Sequence, residues 1–129
     1  LKFYKYYNKE KFIEKMNSIL KIISNRYGRK YNLVFKSHPR EKRIYFKLYK
    51  FKPSYKKNYL EQILEKNRNR IYCIIGITST GIKISDIYGI KTYSIKNLLG
   101  LEDNSRFKKN LINNSNIKTI NNFHQLKKL

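Results

Sequence analysis

The sequence predicts a mixed α/β fold of the α+β kind, and three observations carry the prediction. Residues 9–27 place apolar side chains at helical steps of three and four. Residues 31–35 and 43–51 alternate between two kinds of side chain, as half-buried strands do. Residues 71–77 form an apolar run of strand length. A chain of 129 residues can hold one domain or two small lobes.

The first predicted element is a helix with a recognisable beginning and end. Asn8 precedes it as a candidate N-cap, and Gly28 follows the last apolar position as a helix stop. Its apolar stripe is interpreted as core, not as a cofactor site, and comprises Phe12, Ile13, Met16, Ile19, Leu20, Ile23 and Tyr27.

A two-stranded region is predicted next. The first strand covers residues 31–35, and a turn containing Pro39 leads to a second strand over residues 43–51. One face of the second strand suits a core: Ile44, Phe46 and Leu48. The opposite face is basic and aromatic: Arg43, Tyr45, Lys47, Tyr49 and Phe51. That face suits sugar and base contacts, or is a solvated edge with half-buried tyrosines, and the pattern alone leaves both open.

The second half is organised around a polar stretch, Thr78-Ser79-Thr80-Gly81. Lys52-Pro53-Ser54 is predicted to end the preceding strand, and residues 60–64 suggest one or two helical turns. The strand over residues 71–77 then leads into residues 78–81, interpreted as a rigid loop whose hydroxyls and amides face a ligand. Ser85 or Asp86 is expected to cap a short helix or turn reaching Lys91.

Two stretches close the chain. Ile95, Leu98 and Leu99 form an apolar cluster expected in a last strand or short helix. Residues 101–129 are rich in Asn and Lys and carry too few apolar side chains for a core of their own. We therefore expect them to be ordered only against a partner.

The charge of the chain points to a polyanionic partner. The formal net charge is +22, from 30 Lys and Arg against 8 Asp and Glu. Binding to phosphates releases condensed counterions, so nucleic acid is the favoured partner and an anionic membrane surface the weaker one. No apolar run is long enough to span a bilayer, and the basic residues are spread along the chain, so we expect no membrane partner.

The residues needed for most enzyme chemistry are missing. The chain has a single cysteine, Cys73, which excludes a disulfide framework within the chain. We expect Cys73 to be a small buried hydrophobe. No Cys, Asp or Glu stands at ligand spacing from His38 or His124, and Ser79 has no neighbouring base. Asp86 is the only carboxylate between Glu65 and Glu102. We expect no enzyme activity, no metal, no cofactor and no small-molecule substrate.

A family resemblance follows from the spacing of several short motifs. Lys52-Pro53 is followed by Lys56-Lys57, Ile63-Leu64, the apolar run, Thr78-Ser79-Thr80-Gly81-Ile82 and Ser85-Asp86. This order resembles the second half of the small-subunit ribosomal protein eight family, of the bacterial and organellar type. Upstream, Tyr7-Asn8-Lys9 with Lys11 is similar to the start of a helix in that family.

The resemblance implies a fold and a division of the chain. The first expected part is an N-terminal α/β lobe over residues 1–51, with a helix packed on a short sheet; the family's first helix is either absent or lies upstream of Leu1. A mainly β lobe follows over residues 52–100, and then a basic extension over residues 101–129.

The resemblance also implies a function. The family is a non-catalytic constituent of the small ribosomal subunit; it binds the central domain of the small-subunit rRNA and contacts neighbouring ribosomal proteins. Thr80 stands where the family has lysine, so that phosphate contact is expected either to be lost or to be supplied elsewhere, for example by Lys83. The predicted RNA-binding residues are Asn8, Lys9, Lys11, Lys52, Lys56, Lys57, Arg68, Arg70, Thr78, Ser79, Thr80, Gly81 and Lys83.

Residue usage bears on localisation. The bias to Lys, Asn, Ile, Tyr, Phe and Leu indicates a gene of low G+C content. The expected site is the mitochondrial ribosome, with a plastid-type organelle or a low-G+C bacterial cytoplasm as alternatives. Two other functions remain open: a stand-alone RNA- or DNA-binding regulator, and a fragment of an organellar intron endonuclease or maturase.

Overall fold

The computed structural model of the protein describes residues 8–37, 44–54, 60–77, 80–100 and 116–129, with the backbone alone at residues 80 and 81. Helices and small parallel sheets alternate, which confirms the mixed α/β class. The chain divides into two units. Unit 1 combines Leu1–Asn58 with Phe123–Leu129, and unit 2 comprises Tyr59–Asn122.

Unit 1 is built on helix α1, Lys9–Tyr27, and both predicted ends of this helix are confirmed. The Asn8 side chain accepts a hydrogen bond from the backbone N–H of Lys11 at 3.1 Å, which satisfies one of the unpaired amides of the first turn. Gly28 is the C-cap, and its N–H donates to the carbonyl of Ser24 at 3.0 Å. The buried apolar residues are Phe12, Met16, Ile19, Leu20 and Ile23.

A two-stranded parallel sheet follows, made of β1, Val34–Phe35, and β2, Lys52–Pro53. The N–H groups of Lys52 and Ser54 donate to the carbonyls of Leu33 and Phe35, at 2.9 and 2.8 Å. Pro53 lies between these two donors, where the pairing requires no N–H from it, so proline is compatible with this strand.

The strand predicted over residues 43–51 is wrong for its described part. Residues 44–51 form no strand and turn at residues 49 and 50. Two side chains of α1 accept hydrogen bonds from backbone amides of this segment instead. The N–H of Lys47 donates to Asn17 Oδ1 at 2.8 Å, and that of Lys50 to Ser24 Oγ at 3.2 Å. The Phe46 ring lies 5.9 Å from the rings of both Phe12 and Phe35, so the predicted core face is right at that residue.

The last residues of the chain complete unit 1 through helix α4, Phe123–Leu126. The Tyr27 hydroxyl of α1 donates to the carbonyl of Leu129 at 2.9 Å, and Leu126 is fully buried. The expectation that residues after Gly100 need a partner to become ordered is therefore wrong for residues 116–129. Of their apolar side chains, Ile120 and Leu126 are buried, whereas Phe123 is exposed.

Unit 2 contains a β-α-β arrangement. Its elements are α2, Leu60–Asn67; β3, Cys73–Gly76; α3, Thr80–Ile87; β4, Lys91–Ser94; and β5, Lys118–Thr119. β3 pairs with β4 in parallel, and β4 pairs with β5 in parallel, giving the order β3-β4-β5. Parallel neighbours require a crossover, which α3 supplies between β3 and β4. The unit is thus a mixture of helix and strand, where a mainly β lobe was expected.

The core of unit 2 is formed by side chains of α2 and α3 and of the segments that flank β4 and β5. Its buried apolar residues are Leu64, Ile82, Ile90, Ile95, Leu98, Leu99 and Ile120. The predicted cluster at residues 95–99 is confirmed as buried, although residues 96–100 form turns and not a strand or helix. Ser85 and Asp86 lie within α3, and Ser85 is fully buried, so their predicted role as helix caps is wrong.

Candidate nucleic-acid interface

Exposed cations dominate the described surface of unit 1. Its two described side-chain carboxylates are Glu10 and Glu14, both on α1. Against them stand the residues that we call the basic set: Lys9, Lys11, Lys21, Arg26, Arg29, Lys30, Lys47, Lys50, Lys52, Lys127 and Lys128, all exposed. Such an excess raises the local concentration of phosphate groups and suits contacts with a nucleic-acid backbone.

Three predicted RNA-binding residues lie together at the start of α1. The side-chain oxygen of Asn8 already accepts the Lys11 amide, so the helix cap accounts for this asparagine. The Lys9 ammonium lies 4.5 Å from the centre of the Tyr45 ring, a cation–π contact that links the start of α1 to residues 44–54. Lys11 is exposed. The positive end of the helix dipole adds to the attraction for anions here.

Lys52 is the predicted residue that β2 positions. Its backbone N–H pairs with β1, while its side chain is exposed. The neighbouring Lys47 and Lys50 are also exposed, and their backbone N–H groups donate hydrogen bonds to side chains of α1. The alternating sequence pattern placed Lys47 on a strand face and did not include Lys50. That pattern gives no sign that Asn17 and Ser24 accept hydrogen bonds from the backbone of this segment.

Unit 2 positions three further predicted residues. Arg68 and Arg70 follow α2 and are exposed, and Lys83 is exposed on α3. The Arg68 guanidinium carbon lies 5.7 Å from the centre of the Tyr88 ring, just after α3. The backbone N–H of Arg70 closes the turn by donating to the Asn67 carbonyl at 2.8 Å. These cations therefore lie on a defined backbone, and Arg68 also lies next to the half-buried Tyr88.

The structure describes residues 80 and 81 of the polar stretch at residues 78–81. Thr78 and Ser79 lie outside the described residues, as do Lys56 and Lys57. Thr80 and Gly81 belong to the first turn of α3, so the loop interpretation is wrong for these two residues. First-turn amides have no partner within their own helix and favour anionic groups. An anion could therefore still bind at this position, but the backbone amides of the first turn of α3 would contact it and not a loop.

A hydrogen-bonded group at the end of β4 was missed by sequence reasoning. The Ser94 hydroxyl donates to the Ile77 carbonyl at 2.6 Å and accepts from the Lys96 N–H at 3.4 Å. Lys96 is buried, and the Asn97 side-chain amide donates to that of Asn121. No local pattern in the sequence marks this lysine as buried.

Cys73 is half-buried in β3 and is free. Burial raises the pKa of its thiol above the ordinary value, and the nearby charge of Lys91 opposes that rise. The thiol is therefore neutral at physiological pH, in keeping with the predicted hydrophobic role. Within the described ranges, no three His, Cys, Asp or Glu side chains come together to hold a metal ion.

Comparisons with known proteins add no relative. No family model, curated protein or solved structure matches the chain. In the part of the chain that the structure describes, no helix is long and apolar enough to cross a membrane.

Proposed function

We propose that the protein is a structural RNA-binding constituent of the small ribosomal subunit, without catalytic activity. The observation that carries the proposal is the basic set of unit 1. The described residues of that unit contain only two side-chain carboxylates, Glu10 and Glu14, to balance it. A net charge of +22 on 129 residues opposes folding unless a polyanion neutralises it. A long, folded RNA provides such a partner, because it presents phosphates to several faces of the protein at once.

The mode of binding follows from the kind of side chain. Lysine and arginine contact phosphates, which gives affinity with little sequence preference. A-form RNA has a deep, narrow major groove, so phosphates, sugar hydroxyls and unstacked bases are the groups within reach. Exposed cations on α1 and β2, and near α2 and α3, match those targets.

The choice of ribosomal RNA depends on the motif order between Lys52-Pro53 and Gly81, which resembles the small-subunit ribosomal protein eight family. The proposed partners are the central domain of the small-subunit rRNA and neighbouring ribosomal proteins. The low-G+C residue usage favours a mitochondrial ribosome.

Sedimentation tests the ribosomal part of the proposal. The tagged protein should travel with the small subunit in a sucrose gradient and enrich its rRNA after crosslinking. A protein that stays at the top of the gradient at every stage of growth, or that crosslinks equally to all RNAs, refutes this part. Metal-dependent cleavage of RNA or DNA by the pure chain refutes the non-catalytic role.

Salt dependence tests the phosphate contacts directly. The double variant Lys9→Gln/Lys11→Gln should lower the slope of log affinity against log salt by roughly 0.7–0.9 for each phosphate that the protein no longer neutralises. Lys66→Gln is the matched control, because Lys66 is exposed on α2 beside Glu65 and lies outside the predicted set. Equal slopes for the double variant and the control contradict the assignment of α1 to the interface.

A further inference from the structure

The backbone at Tyr49 adopts an unusual conformation. Its φ angle is +51°, and it is the one non-glycine residue with a positive φ among the described residues. In this region the Cβ atom is crowded, so a bulky side chain there costs stability that glycine would not. The side chain is nevertheless 47% exposed, so burial of the ring does not account for the strain. Strained residues of this kind concentrate at ligand-binding positions.

Contacts with α1 hold this turn in place. The N–H of Lys50 donates to Ser24 Oγ at 3.2 Å, and that hydroxyl belongs to a residue only 1% exposed. The N–H of Lys47 donates to Asn17 Oδ1 at 2.8 Å, and that of Phe51 to the Leu48 carbonyl at 2.8 Å. The backbone is therefore fixed on both sides of Tyr49, which presents its ring at low conformational cost.

The surroundings of Tyr49 suit a nucleotide. Lys47, Lys50 and Lys52 are exposed, and residues 44–54 contain no carboxylate. Within the described part of the chain, the Tyr49 ring has no aromatic or cationic neighbour, whereas the equally exposed Tyr72 lies 4.9 Å from the Lys91 ammonium. An open aromatic face among lysines is the combination with which proteins bind single-stranded nucleic acid.

We propose that Tyr49 stacks on an unpaired base of a single-stranded RNA segment, while Lys47, Lys50 and Lys52 contact the adjoining phosphates. This proposal rests on the RNA-binding function above and names the form of RNA that the 44–54 segment takes. A duplex keeps its bases stacked on each other, so it offers phosphates to the lysines and no base face to the tyrosine.

Fluorescence provides a direct test, because the chain contains no tryptophan. Tyr49→Trp and Tyr72→Trp each introduce one indole at positions of equal exposure. We expect a uridine-rich single strand of roughly 12 nucleotides to quench the Tyr49→Trp emission strongly and the Tyr72→Trp emission little. A duplex RNA of the same length should quench neither. Unchanged Tyr49→Trp emission at saturating single strand overturns the proposal.

Affinity measurements complete the test. Tyr49→Phe should bind the single strand within about twofold of the wild type, and Tyr49→Leu about tenfold more weakly, as expected for losing one base stack. Tyr49→Gly relieves the backbone strain, so its midpoint of unfolding should rise while its affinity for the single strand falls as in Tyr49→Leu. Wild-type affinity in the Leu and Gly variants, or equal losses for single strand and duplex, overturns the stacking role. If the wild type binds neither RNA, the proposed function itself is refuted.

Discussion

The contact between Gly76 and Ile82 yields a sharp prediction about unit 2. Gly76 is the last residue of β3, and α3 crosses close to it. A Cβ atom added at Gly76 would collide with Cγ2 of Ile82, while the next nearest atom, Ile82 Cβ, lies 3.7 Å away. Ile82 is only 3% exposed, so its side chain has little room to move. Gly76→Ala should therefore destabilise the protein.

The expected magnitude follows from two opposing terms. Overpacking a tight core by one methyl group costs about 1–3 kcal/mol. Replacing glycine also restricts the unfolded chain, which returns about 0.4–1 kcal/mol. The net loss in the free energy of unfolding at Gly76→Ala should therefore be about 1–2 kcal/mol, measured by urea denaturation followed by circular dichroism.

A second substitution at Ile82 identifies the cause. Ile82→Leu removes the branch at Cβ with nearly constant volume, whereas Ile82→Val keeps Cγ2. Gly76→Ala should cost about 1 kcal/mol less in the Leu background than in the Val background, a coupling of the size found for residues in contact. Gly89→Ala is the control, since Gly89 has a φ of +77° and open space around it. Its cost should be the same in both backgrounds. Equal costs for Gly76→Ala in the two backgrounds would refute the packing of α3 on β3.

Three further predictions concern single groups. Asn8→Ala removes the cap of α1 and should lower the free energy of unfolding by about 1 kcal/mol in urea denaturation, whereas Asn8→Asp should retain it. Asn17→Ala leaves the Lys47 amide without its acceptor and should cost about 1 kcal/mol, with protection of that amide lost in hydrogen exchange. Burial raises the pKa of the Cys73 thiol, so the unfolded chain loses this proton first as the pH rises. Stability of the wild type should therefore fall more steeply than that of Cys73→Ala above the ordinary thiol pKa, and parallel curves would contradict the burial.

Elements with local signals were predictable from the sequence. Helix α1 carries its apolar stripe, its cap at Asn8 and its stop at Gly28 within one continuous segment. β3 is recognisable because its apolar run is short and followed by polar residues. Lysine and arginine side chains are expected on the surface because of their charge. Lys9, Lys11 and the other predicted RNA-binding cations that the structure describes are indeed exposed. Lys96, which was not among the predicted residues, is buried.

The errors arise where distant residues decide the structure. Alternation over residues 43–51 indicates a strand, but Asn17 and Ser24 accept amides of this segment from 30 and 26 residues away. α3 contains glycine and β-branched residues, which disfavour helix, yet burial of Ile82 and Ser85 stabilises one. Residues with a partner across the chain cannot be placed from local pattern alone.

The pairing of α1 with α4 has a consequence for the synthesis of the protein. The Tyr27 hydroxyl bonds to the Leu129 carbonyl, 102 positions along the chain, and the whole of unit 2 is encoded between them. Residues 44–54 are made soon after α1 and already supply the Phe46 ring to Phe12, whereas residues 123–129 follow only after unit 2. Unit 1 can therefore form in part before unit 2 is synthesised and is completed after it.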